Sequence, residues 1–128
     1  MKLKTLAGAY PALTKLASQD MPTSVLYRFS KVLEALEPDI RFFMNQRGKL
    51  FEKYGSVEDG QYVVSEENAQ KFADELAELE DIEAEIDCDK LGLPLVIPIS
   101  TDVKISYVDL CFLEGILKLE EKEGINNA

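Results

Sequence analysis

Residues 81–89 read DIEAEIDCD, so Glu83, Glu85 and Asp87 alternate with Ile82, Ala84, Ile86 and Cys88. In an extended chain every second side chain points the same way, which puts these three carboxylates on one face. Such a face can hold cations weakly or meet a basic surface. A calcium loop needs acids at its first, third, fifth and twelfth positions around a glycine, and this stretch has no glycine. No metal site is expected. Glu83, Glu85 and Asp87 are instead the candidate interaction face, at the end of an acid-rich run from Ser65 to Asp89 that contains one lysine, Lys71.

Other chemistry is thin. The chain has no histidine, which removes the commonest general base and the commonest ligand of transition metals. Triads of the Ser-His or Cys-His kind cannot be built. Cys88 and Cys111 lie far apart among apolar neighbours and read as two unpaired thiols in the core. No carboxylate pair is marked as sitting in a cleft, so a non-catalytic protein without cofactors is expected. Arg47 remains, a lone cation on an otherwise apolar helical stripe. It can contact an anion, or lay its stem along the stripe and reach Glu75 or Glu78 on a facing helix.

The elements that position these residues follow from periodicity. From Val25 to Tyr54, Phe29, Leu33, Leu36, Ile40, Phe43, Arg47, Leu50 and Tyr54 recur in steps of four and three, the seam of a helix packed lengthwise on another. Pro38 interrupts that seam, so the helix kinks there or two helices abut. Gly55 is expected as a left-handed stop, and Asp59-Gly60 as a tight hairpin turn before Tyr62-Val63-Val64. Ser65 then caps a return helix lined by Ala69, Phe72, Ala73, Leu76 and Leu79. Arg47 would face the Phe72 to Glu75 region and pin the register of the pair. Arg41 and Lys49 or Lys53 can pair with the same acidic helix.

Either side of this hairpin the signals are shorter. A first helix is expected to start near Tyr10 or to bend there, because Pro11 costs about 3 kcal/mol inside a helix. Ile82 to Cys88 is expected as a strand whose partner is the 91–100 segment or a second subunit. LGLPLVIPIS, residues 91–100, is broken by Pro94 and Pro98 and reads as an irregular crossing or an edge strand. Ser106 caps a closing helix carrying Val108, Leu110, Cys111, Leu113, Ile116 and Leu117. The tail from about 120 to 128 reads as frayed. The expected fold is α+β, predominantly helical: an antiparallel helical hairpin with a long kinked helix, a glycine turn and an acidic return helix, plus one or two short strands and a closing helix. One domain spans 1–128.

Twenty-four acidic against fourteen basic residues give a formal charge of -10. Such a field repels nucleic-acid phosphates, so direct nucleic-acid binding is not expected. Protein partners with basic or neutral surfaces are, and the unpaired strand favours a homo-oligomer. Membrane attachment is not expected, and the start MKLKTLAGAYPALTKL lacks a secretory signal, so a cytoplasmic location is the default.

The order AYPALTKLASQDMPTSVLYRFSKVLEALEPDIRFFMNQRGKLFEKYG, an acidic glycine turn, VSEENAQKFADELAELEDIEAEID and ISYVDLCFLEGIL resembles a group of small, uncharacterised proteins encoded by phages and prophages of Gram-positive bacteria. The likeness covers roughly residues 6 to 118 and rests on helix and turn patterns, with LEP at Leu36 to Pro38 and KYG at Lys53 to Gly55 matching best. It implies an accessory protein of the infected or lysogenic bacterial cytoplasm, working by protein–protein interaction or assembly. It implies no functional residues. A competing reading is an acidic inhibitor whose strand face imitates the phosphate spacing of nucleic acid and occupies a basic groove on a host protein.

Overall fold

The computed structural model describes residues 1–98 and 102–120. In chain order the elements are α1 (Leu3–Ala17), α2 (Thr23–Tyr54), β1 (Gly55–Glu58), β2 (Gln61–Val64), α3 (Glu66–Glu80), β3 (Leu95–Ile97), α4 (Tyr107–Phe112) and β4 (Leu117–Leu119). Helix and strand are mixed, and the strands form two separate two-stranded sheets. The chain divides into two compact units, one from 1–7 and 37–85, the other from 8–36 and 86–128. The expected tail at 121–128 and the residues 99–100 of the two-proline segment lie outside the described residues.

At each proline one of the two expected alternatives is overturned, the helix start near Tyr10 and the two abutting helices at Pro38. α1 begins at Leu3, well before Tyr10, with Pro11 inside it. α2 runs through Pro38 as one helix of 32 residues. Each proline ring is exposed, so it meets water and not a packed neighbour. Burial of the opposite side of α1, including Leu6, Leu13 and Leu16, offsets the lost hydrogen bond, each leucine contributing roughly 1.5–3 kcal/mol. Along α2 the buried row is Val25, Phe29, Val32, Leu36, Ile40 and Phe43, which averages the ordinary helical period and not the tighter seam. Leu33 is only half-buried, and beyond Phe43 no α2 side chain is fully buried.

Within the first unit, β1 and β2 pair antiparallel with Glu58 opposite Gln61. Asp59 (φ 50°) and Gly60 (φ 79°) form the two-residue turn, both in the left-handed region that a type I′ hairpin requires. Gly55 is not left-handed. It opens β1, and a Cβ there would stand 2.7 Å from the Phe51 carbonyl oxygen, so closeness and not handedness selects glycine. Phe51 packs against Tyr62 and Phe72, with ring centroids 5.6 and 5.0 Å away.

Ser65 occupies the N-cap of α3, but its side chain makes no capping hydrogen bond. The inner side of α3 carries Asn68, Phe72, Glu75, Leu76 and Leu79, while Ala69 and Ala73 are exposed, a rotation from the expected face. Asn68 repays its position: its Nδ2 donates to the Tyr54 carbonyl, 3.3 Å away, one of the free acceptors at the end of α2.

The expected strand from Ile82 to Cys88 does not form. Residues 82–85 make a single antiparallel bridge, Lys2 opposite Glu83, in which Leu3 N–H donates to the Ile82 carbonyl and Ala84 N–H to the Met1 carbonyl, both at 2.9 Å. Pairing stops there because α1 starts at Leu3 and takes the neighbouring backbone groups.

In the second unit, β3 and β4 pair parallel, Leu95 opposite Leu117. The link between them includes α4, as a parallel pair requires a crossover. Leu95, Ile97, Leu113, Ile116 and Leu117 are buried, as are Leu13, Leu16, Phe29 and Leu36 from the helices of the same unit. Gly115, at φ 82°, turns the chain from α4 toward β4. The closing helix is therefore six residues long, and Leu113, Ile116 and Leu117 lie beyond it. Gln19 clamps the segment before α4, with its side chain donating to the Lys104 carbonyl at 2.6 Å and accepting from Lys104 N–H at 2.8 Å. Cys88 is half-buried and Cys111 exposed, so neither is the core thiol expected.

Candidate functional site

Glu83 and Glu85 fall in the first unit and Asp87 in the second. All three are exposed, with the residues between them half-buried. The alternation of exposure is thus present where the strand is not. Glu83 accepts from the Met1 amino group at 2.8 Å. Its neighbour Asp81 takes the Lys2 ammonium, whose pKa is raised by that hydrogen bond and charge. Asp87 Oδ1 accepts from Lys90 N–H at 3.0 Å and so organises a turn in the backbone. Glu85 makes no ion pair among the described residues.

Arg47 does not reach α3. Its guanidinium lies 3.3 Å from Met44 Sδ and 5.7 Å from the centre of the Phe43 ring, both on its own helix. Arg41 likewise pairs within α2, with Glu37. The cation that does bridge to α3 is Lys53, 3.1 Å from Glu75 Oε1. The Tyr54 phenol and the Lys53 ammonium beside it hold the Glu75 carboxyl below its usual range, and the same neighbours, Tyr54 first and then Glu75, raise Lys53. Glu75 Oε2 is buried without a hydrogen-bond partner among the described residues.

The least expected surface belongs to α4. Ser106 caps it, its Oγ accepting from Asp109 N–H at 3.1 Å. Asp109 is the most covered residue of the helix, with a side chain 16% exposed and paired with Lys15 at 3.1 Å. Three apolar residues point the other way, Tyr107 80% exposed, Val108 59% and Leu110 36%, while the Phe112 ring, 49% exposed, lies against Gly8 of α1. A surface helix ordinarily turns its apolar stripe inward. This one is inside out.

The chain matches no protein-family model, no curated protein and no solved structure.

Sequence reasoning placed the Ser106 cap and missed what the cap aims. Apolar residues at five of the six α4 positions do not reveal a phase. The usable signal was length, since a single turn and a half cannot bury apolar groups all round. What α4 offers chemically is contact area with one phenol and one thiol. Among the described residues no three Cys, Asp or Glu side chains gather as a metal ion would require, and no helix is long and apolar enough to cross a membrane.

Proposed function

We propose that the chain is a non-catalytic interaction protein, an accessory or assembly component of a phage or prophage cycle, that self-associates through the outer face of α4. The observation that carries this reading is the inversion of that helix: Asp109 faces in while Tyr107, Val108 and Leu110 face out. Apolar side chains gathered on a solvated element are what an interface needs, and a tyrosine supplies area with little entropy to lose. A second copy is the first occupant because a two-fold axis brings two such faces together without any further partner.

In the same reading the C-terminal turns of α2 and the whole of α3 form an antiparallel helical hairpin behind the β1–β2 turn. Its support is the Asn68 to Tyr54 hydrogen bond and the Phe51 to Phe72 contact, made in reverse order along the two helices. The acidic inhibitor reading is the weaker one. The strand that was to space its charges is a single bridge, and Glu83 and Asp81 already have cationic partners.

Sedimentation equilibrium tests the proposal. The expected result is a defined oligomer for the unmodified chain and a monomer for Tyr107→Ser with Val108→Asp, the secondary-structure content unchanged. A monomeric unmodified chain, or an oligomer that survives the double substitution, overturns it.

A further inference from the structure

The second unit contains a groove of about 510 Å³ between α2 and residues 89–96, a volume inside the roughly 300–1,000 Å³ range of small-molecule sites. One wall is a single helical face, Tyr27, Arg28 and Lys31. The facing wall carries Lys90, Pro94 and Val96. Backbone hydrogen bonds fix that wall: Leu91 N–H to the Asp87 carbonyl at 3.1 Å, Leu93 N–H to the Cys88 carbonyl at 2.9 Å and Leu95 N–H to the Ile116 carbonyl at 2.7 Å. The groove is therefore built before any ligand arrives.

Its charge runs against the rest of the chain. Three cations and one acid, Asp89, line it, in a protein of formal charge -10. None of the three cations takes part in an ion pair among the described residues. Between them lies apolar and aromatic surface: Tyr27 is 61% exposed and Val96 42%, and Lys31 Nζ stands 5.3 Å from the Tyr27 ring centre. We propose that this groove binds a small amphipathic anion, one carboxylate or phosphate group on an apolar body of about ring size. The anionic group meets Arg28, Lys31 and Lys90, and the body lies against Tyr27, Pro94 and Val96. A polymer of phosphates would feel the repulsion of the whole chain, whereas a small anion feels the local field within a screening length. The proposal is independent of self-association through α4.

Amide NMR titrations with 1-naphthoate, uncharged 1-naphthamide, 1-naphthyl phosphate and inorganic phosphate test it. Naphthoate or naphthyl phosphate should shift residues 27–31 and 89–96 saturably, and whichever binds more tightly identifies the head group. Naphthamide and inorganic phosphate should each bind at least about tenfold more weakly. Arg28→Glu with Lys31→Glu, at exposed positions of α2, should cost the naphthyl anions about tenfold or more and leave naphthamide within about twofold. Lys90→Gln gives a second reading from the other wall, with a smaller loss. Equal binding of naphthamide and the anions, shifts centred elsewhere, or unchanged affinity in both variants overturns the proposal. Inorganic phosphate binding as tightly as the naphthyl anions overturns its apolar half.

Discussion

The two units are held by different forces. Among the described residues, Leu3, Leu6, Ile40, Phe43 and Leu79 are the buried apolar residues of the first, while every other such residue, thirteen in all, belongs to the second. The first unit has instead the Phe51, Tyr62 and Phe72 contacts and the pairs Lys2–Asp81, Arg41–Glu37 and Lys53–Glu75; the second has Lys15–Asp109. Exposed ion pairs contribute little each and weaken with salt, whereas buried apolar groups do neither. Stability should therefore be concentrated in the second unit, and sensitivity to pH and salt in the first.

The largest expected effect comes from truncating one phenylalanine in each unit. Phe29→Ala empties a fully buried site and should cost about 3–5 kcal/mol in denaturant unfolding, while Phe72→Ala, half-buried, should cost clearly less. Equal costs would break the contrast. Next comes Ser106→Ala, which removes the cap of α4 and should cost about 1 kcal/mol, read as faster hydrogen exchange at Asp109 and Leu110 with the first unit unchanged.

The smallest effect sharpens the contrast through pH. Glu75 has its folded pKa below the ordinary 4.5, so its contribution is present above that value and is lost as pH falls through the lower, folded one. Lys53 has its folded pKa above the ordinary 10.5, so its contribution is complete below that value and is lost as pH rises through the folded one. Between these limits the pair is intact. Glu75→Gln should remove the Glu75 share of the acid limb for the first unit, and added salt should shrink it. Chemical shifts of Tyr62 and Phe72 followed against pH provide the check.

What the sequence disclosed depended on whether the determinant was local. Asp59-Gly60 announces a type I′ turn through backbone sterics alone, and Ser106 a helix start. Periodicity gave the long helix but not its phase at each end, since Val32 and Leu33 are equally apolar and only tertiary packing chooses between them. Ile82 to Cys88 has strand alternation without a strand, because a ladder needs a partner and the available backbone, Met1 to Leu3, provides one bridge. Arg47 failed as a register pin for a related reason. A long flexible cation can be satisfied by its own helix, and spacing does not say which acid it will meet. The groove at Tyr27 and Pro94 was not legible at all, for those two residues stand 67 positions apart in the chain.

Gly8 carries a warning for anyone engineering this protein. By helix propensity it is, after Pro11, the next residue of α1 to replace, since alanine in a helix interior is favoured over glycine by about 1 kcal/mol. Yet a methyl group there would stand 2.9 Å from Cδ1 of Phe112. Six-residue helices have no stability of their own, and this ring seats α4 against α1. A stabilising mutation chosen from sequence statistics would thus unseat the helix whose outer face is proposed above for self-association.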